Sequence, residues 1–192
     1  MLGVLIAIHG DDKGLVLPPK LASLQTVIVP IYKAETKAKI LKEAKKIQKN
    51  LEKAGISTYL DDRDYYSPGW KFNEWELKGI PLRIELGPKD LAKKQIMMAR
   101  RDNGEKQALP ITAVAKESQL ILEQIQNYLL EKAKKVLNDS IVKVTSMPEA
   151  LKQLKNKKII YAPWCATVKC DEAFKAKTGA KSLNSPLKKQ KI

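Results

Sequence analysis

The feature that most restricts the fold is a succession of three apolar patterns between residues 26 and 60. Residues 26–31 (TVIVPI) are a β-branched apolar run of strand length. Residues 35–54 then place Ile40, Ala44, Ile47, Leu51 and Ala54 at the 3.6-residue period of a helix with one buried face, and Gly55 stands at its end. Residues 56–60 return to strand character. A strand, a helix of about 20 residues and a second strand form a crossover unit, which forces the two strands parallel and predicts an α/β sheet.

The next stretch is denser in information than the rest of the chain. Residues 60–86 hold five of the eleven aromatic side chains and two of the four arginines. Asp61, Asp62, Arg63 and Asp64 leave the strand as a charged turn. Three carboxylates around one Arg, with no phosphate-binding Gly loop, read as a structural ion network rather than a magnesium site. Ser67 offers an N-cap with Pro68 at the first helical position, and Gly79 with Pro81 stops the helix. Phe72, Trp75 and Gly79 share one helical face and read as core, with Glu76 beside Phe72. Residues 82–86 (LRIEL) alternate as a strand, placing Arg83 and Glu85 on the face opposite Leu82, Ile84 and Leu86.

Further along, residues 87–93 read as a turn and short helix, 95–101 and 105–111 as strands, and 113–137 as a long amphipathic helix. At the start, residues 2–8 read as a strand. His9, Asp11 and Asp12 read as a polar hairpin turn, and Pro18 with Pro19 makes an extended connection. After Asn138 the composition shifts: twelve Lys face four carboxylates, so this part carries +8 of a net charge of +15. A strand at 141–145, a capping box from Ser146 to Glu149 opening a short helix to Leu154, and a strand at 158–162 make a small second α/β domain. Cys165 and Cys170 form a C-x4-C pair, half of a tetrahedral thiolate site. No other Cys is present and the one His is His9, so no zinc is expected.

Charge narrows the function. A chain of 192 residues with pI near 9.7 suggests a polyanionic partner, nucleic acid being the commonest; the alternative is a soluble Lys-rich surface. Because 32 of the basic residues are Lys, the four Arg positions are candidates for planar or bidentate contacts that an ammonium cannot make. No uncharged 18-residue apolar run is present, and the apolar start has neither a basic leader nor a cleavage site. Two cysteines are too few for a disulfide framework. A cytoplasmic protein with no membrane partner, monomeric as an isolated chain, is expected.

The segments HGDDKGLVLPPKLA, VIVPIYK, DDRD, SPGWKFNEWELKGIPLRIELGPKDL and ARRDNGEK closely resemble the anticodon-binding part of prolyl-tRNA synthetase of the archaeal and eukaryotic type. The resemblance runs through about residue 137 and continues more weakly to the end. It implies an anticodon-binding domain over residues 26–137, with a five-stranded mixed sheet flanked by helices. Residues 1–25 would be the end of a catalytic domain and a linker, and 138–192 a small basic, truncated zinc-binding-like domain. The family's guanine-reading positions fall on Glu76, Arg83 and Lys106. Proline anticodons end in two guanines, and the chemistry agrees, since a carboxylate accepts from N1 and N2 while cations serve O6 and N7. Arg100 and Arg101 are candidate phosphate contacts. An intramolecular salt bridge between Glu76 and Arg83 is the structural alternative, and such a pair could exchange partners for a base.

The resemblance further implies that tRNA(Pro) is the partner, and that ATP and magnesium serve the full enzyme through a class II catalytic domain or separate catalytic subunit. No machinery for ATP, proline or the acceptor end is present here. The chain alone is therefore expected to have no catalytic residues and not to charge tRNA. The competing reading is a stand-alone, weakly specific RNA-binding protein of the same fold. A metal-dependent hydrolase using Asp61, Asp62 and Asp64 is the remaining one.

Overall fold

The computed structural model describes residues 2–165 and 167–184. It divides into two compact units, Met1–Ala133 and Lys134–Ile192. In chain order the first holds α1 (Leu2–His9), β1 (Thr26–Pro30), α2 (Lys37–Lys53), β2 (Thr58–Leu60), α3 (Pro68–Leu77), β3 (Leu82–Leu86), α4 (Pro88–Ala92), β4 (Gln95–Arg100), β5 (Lys106–Pro110) and most of α5 (Val114–Ser140).

The strands form one mixed sheet in the order β2-β1-β3-β4-β5. β1 runs parallel to β2 and β3, as the crossover helices require, and β4 and β5 are antiparallel additions. The central strand β1 is buried at every position, which is why it reads as an unbroken apolar run. On one face Ile28, Ile84 and Met98 pack under Ile40, Ala44, Ile47 and Leu51 of α2 and Ile121, Ile125 and Leu129 of α5. On the other face Val27 and Val29 meet Trp75 and Ile80, so α3 covers only part of it. The uncovered part is where a site can form.

The second unit is built on β6 (Ile141–Lys143) and β7 (Ile159–Tyr161), a parallel pair joined through α6 (Met147–Lys155), and is followed by α7 (Val168–Thr178). Val144 and Ala150 are its most buried side chains among the described residues.

Three local expectations differ from the structure. Residues 2–9 form a helix, α1, not a strand. They pair with no strand among the described residues, so the backbone satisfies itself locally, and Val4, Ile6 and Ile8 are exposed. The capping box is not formed: Ser146 makes no side-chain cap on α6, and Glu149 accepts from the backbone N–H of Thr145 at 3.5 Å instead of that of Ser146. Helix α7 has no counterpart among the expected elements; its signals are Thr167, whose hydroxyl accepts from Cys170 N, and Gly179 in the left-handed conformation at its end.

Candidate nucleic-acid interface

Strand register brings the site together. Val27, Arg83, Ala99 and Lys106 are aligned partners across β1, β3, β4 and β5, so their side chains emerge on the same face. Arg83 and Lys106 are thus two strands apart, with the small Ala99 as the floor between them.

Helix α3 makes the opposite wall. The Ser67 hydroxyl accepts from Trp70 N at 3.3 Å and Pro68 starts the first turn, which fixes the helix N-terminus. The inward face carries Lys71 and Trp75, both buried. Trp75 donates its indole N–H to Asp61 Oδ2 at 2.8 Å, and Lys71 donates to the Asp61 backbone oxygen at 3.0 Å. Arg63 forks onto Asp61 at 2.8 and 2.7 Å and also reaches Glu74. Burial pushes the Asp61 carboxyl upward, yet the hydrogen bonds from Arg63 and Trp75 and the charge of Lys71 outweigh it and hold it at about 2. The Asp-Arg turn is accordingly an ion network that clamps α3 to the end of β2. Asp64 lies outside that clamp, bonded to Tyr32 Oη at 2.6 Å and paired with Lys37.

With its apolar side inward, α3 presents Phe72 and Glu76 to the sheet row. The result is a groove of about 400 Å³ whose lining includes Phe72, Glu76, Arg83, Arg100 and Lys106. The Arg83 guanidinium lies over the Phe72 ring, 4.4 Å from its centroid, and Lys106 Nζ is 5.7 Å from the same centroid.

The alternative of a Glu76–Arg83 salt bridge is not realised. Glu76 pairs instead with Lys13, at 3.3 Å, and Arg83 donates to Glu85 through Nε at 3.1 Å and Nη2 at 3.0 Å. Lys106 donates to the same Glu85 oxygen at 3.0 Å. One carboxylate therefore serves two cations and leaves a surplus positive charge at this point.

The double arginine splits. Arg101 donates to both oxygens of Asp11 at 2.7 and 2.6 Å and to the Glu76 backbone oxygen at 2.9 Å, with its side chain only 4% exposed. It lines the groove and ties Asp11 to the end of α3, with Nε, Nη1 and Nη2 all engaged in these bonds. The Arg101 hydrogen bonds hold the Asp11 carboxyl at about 2. Arg100 forks onto the fully buried Asp102 carboxylate at 3.0 and 2.7 Å; it borders the groove, but as the register partner of Leu82 it sends its side chain to the face opposite Ala99, away from Arg83 and Lys106. Strand alternation puts Glu85 on the same face as Arg83, but sequence reasoning did not name it as the shared partner of Lys106, nor Lys13 and Asp102 as resting partners, because those pairings are defined by a register or a turn.

The remaining candidates are not among the residues that line this groove. Cys165 Sγ is 3.2 Å from Thr167 Oγ1, and Cys170 sits in the first turn of α7. Hydrogen bonding by Thr167 and Cys170 lowers the Cys165 thiol, while that same Cys165 contact raises Cys170. Among the described residues no cluster of three His, Cys, Asp or Glu side chains suited to a metal forms, and no helix is long and apolar enough to cross a membrane. His9 closes α1, with burial lowering its imidazole. Asp11 makes a tight turn with Gly14, and Asp12 is exposed beside it.

Comparison with known proteins agrees with this architecture. The family described as anticodon binding domain matches residues 25–120, and the family described as prolyl-tRNA synthetase, C-terminal, matches residues 147–192. The cytoplasmic proline–tRNA ligase of Arabidopsis thaliana is 44% identical over 191 residues, covering 96% of this chain and 36% of the relative. The proline–tRNA ligase of Pyrococcus abyssi is 40% identical over 192 residues, covering all of this chain and 40% of the relative. The bifunctional glutamate/proline–tRNA ligase of Drosophila melanogaster is 41% identical over 180 residues, which is 91% of this chain and 10% of that protein. The chain thus spans two fifths or less of these relatives. It belongs to the anticodon-binding-domain family, in the form that is followed by the C-terminal domain of prolyl-tRNA synthetases.

Proposed function

We propose that this chain reads the proline anticodon of tRNA as the C-terminal part of a proline–tRNA ligase, and that Glu76, Arg83 and Lys106 do the reading. The observation that carries this is their convergence from α3, β3 and β5 on one groove, with Phe72 beneath the two cations. A guanine edge presents two donor groups and two acceptors. Glu76 accepts from N1–H and the N2 amine, while Arg83 and Lys106 donate to O6 and N7. Glu76 leaves a partner that water can also solvate, while Arg83 and Lys106 are aligned by the nearly buried Glu85. Lys13 is 67% exposed, so its pairing with Glu76 is weak and easily exchanged. Arg101 supports α3 through the Glu76 backbone oxygen, and Arg100 is held by Asp102 with its side chain on the other face of the sheet.

In this reading proline activation with ATP and magnesium is the work of the ligase's catalytic domain, in the cytoplasm with the tRNA pool, and this chain's own residues bind RNA. Residues 1–25 join that domain to the anticodon-binding domain of residues 26–137, and 138–192 form the basic C-terminal domain.

The test is a titration with an RNA hairpin carrying the proline anticodon loop. Changing either of the last two guanines to adenine should weaken binding by about 1–3 kcal/mol each. Equal binding of the parent and changed hairpins, with a steep salt dependence for all, would contradict the proposal and favour a weakly specific RNA-binding protein.

A further inference from the structure

The aromatics of residues 60–86 do not share one fate. Trp75 is core, whereas Tyr65 is 75% exposed and Trp70 is 42% exposed. These two rings belong to an ordered stack. Tyr66 lies on Trp70 with centroids 3.5 Å apart and planes within 13°, and Tyr65 adjoins Tyr66 at 4.5 Å. Arg63 backs both inner rings, its guanidinium carbon 5.0 Å from the Tyr66 centroid and 5.5 Å from that of Trp70. Arg63 is itself fixed by Asp61 and Glu74, and the Ser67 cap holds the Trp70 backbone. The stack is therefore held in place by the same ion network that seats α3, without being covered by any described part of the chain.

Its position relative to the groove identifies what it fits. Gly69 lines the groove, precedes Trp70 in the chain and has open space where a side chain would stand. A strand of RNA leaving the groove can cross α3 over Gly69 with no side chain in its way. Exposed, pre-ordered rings beside a basic groove match single-stranded nucleic acid, whose bases all offer a π-face, and stacking on aromatics needs no hydrogen-bond complement.

We propose that Tyr65, Tyr66 and Trp70 form a stacking platform for an unpaired nucleobase flanking the two guanines. This rests on the anticodon reading above. The platform adds affinity and holds the loop open, and it is indifferent to which base it carries.

The experiment uses the full chain and proline-anticodon hairpins bearing the fluorescent base 2-aminopurine on one or the other side of the guanine pair. On binding, one flanking position should be quenched. In Tyr65→Ala with Trp70→Leu that quenching should disappear and affinity should fall about tenfold, as for loss of one stacked base. The ratio between parent and guanine-to-adenine hairpins should stay unchanged. Tyr65→Phe, which keeps the ring, should bind like the parent. Unchanged affinity with unchanged fluorescence in the double variant would overturn the proposal. So would a collapse of the guanine ratio, which would make the rings supports of the groove. If the parent chain itself shows no guanine preference, the anticodon reading fails. The platform is then judged by the quenching alone: present in the parent and lost in the variant sustains it, absent in the parent overturns it.

Discussion

Arg83 on β3 and Lys106 on β5 donate to one and the same oxygen, Glu85 Oε1, each at 3.0 Å. Arg83 and Lys106 are strand neighbours of Ala99 in the antiparallel register, and Glu85 lies two residues beyond Arg83 on β3. Sharing one carboxylate aligns both cations while neutralising only one of them, so the groove is pre-ordered and still attractive to an anion.

Replacing Glu85 separates order from charge. Glu85→Gln should steepen the salt dependence of RNA binding, because two cations are then uncompensated. Glu85→Ala, which also removes the acceptor oxygen that Gln retains, should in addition cut the guanine-over-adenine ratio severalfold, because neither donor is then held in place. Titrations of both hairpins at two salt concentrations check this.

Trp75 tests the scaffold. It is nine-tenths buried and bonds the buried Asp61 carboxylate. Trp75→Ala should cost about 3–5 kcal/mol by urea unfolding. Trp75→Phe, which keeps most of the volume and removes the donor, should cost about 1–3 kcal/mol.

Two glycines should respond differently to a methyl group. Gly55 and Gly79 both have positive φ, 79° and 73°. A Cβ at Gly55 meets nothing within 4 Å, whereas at Gly79 it would lie 2.6 Å from the backbone of Leu15. Gly55→Ala should cost about 1–2 kcal/mol from conformation alone. Gly79→Ala should cost more and should also weaken RNA binding, because residues 15–17 hydrogen-bond to the end of α3. Thermal unfolding beside a hairpin titration reads both effects.

Acid should loosen the ties around α3. The carboxyls of Asp11 and Asp61 sit at about 2 in the folded chain against an ordinary 3.8. A carboxylate depressed by folding contributes stability that is fully present above its unfolded value and is lost as pH falls through the folded one. Stability should thus decline between about pH 4 and about pH 2. Asp11 is half exposed, so solvent screening reduces its share, and Asp11→Asn should lower stability by about 1 kcal/mol near pH 6 and by almost nothing near pH 2.

Much of this is legible in the residues, and the gaps have physical causes. The crossover unit, the Ser67-Pro68 start and Gly79 stop of α3, and the alternation of β3 are local patterns, and the structure obeys them. The pairing of Glu85 with Lys106 depends on the register of β3, β4 and β5, which local periodicity does not encode. The apolar run at residues 2–8 suits a strand or a helix equally by its pattern; it pairs with no strand among the described residues and forms α1. The aromatics look like one group in the chain, yet α3 rotates Trp75 inward and leaves Trp70 outside, since residues five apart on a helix differ by about 140°.

Whether Glu76 reads guanine is decided most directly by the guanine-over-adenine binding ratio of Glu76→Ala beside that of the parent chain, on hairpins differing only in the last two anticodon letters. Among the described residues the Glu76 side chain is bonded to the exposed Lys13 alone, so the variant should keep the parent's unfolding curve. The parent should prefer guanine by about tenfold or more at each letter, and Glu76→Ala should bind both hairpins alike. A folded Glu76→Ala chain that retains the parent's guanine preference would contradict this assignment.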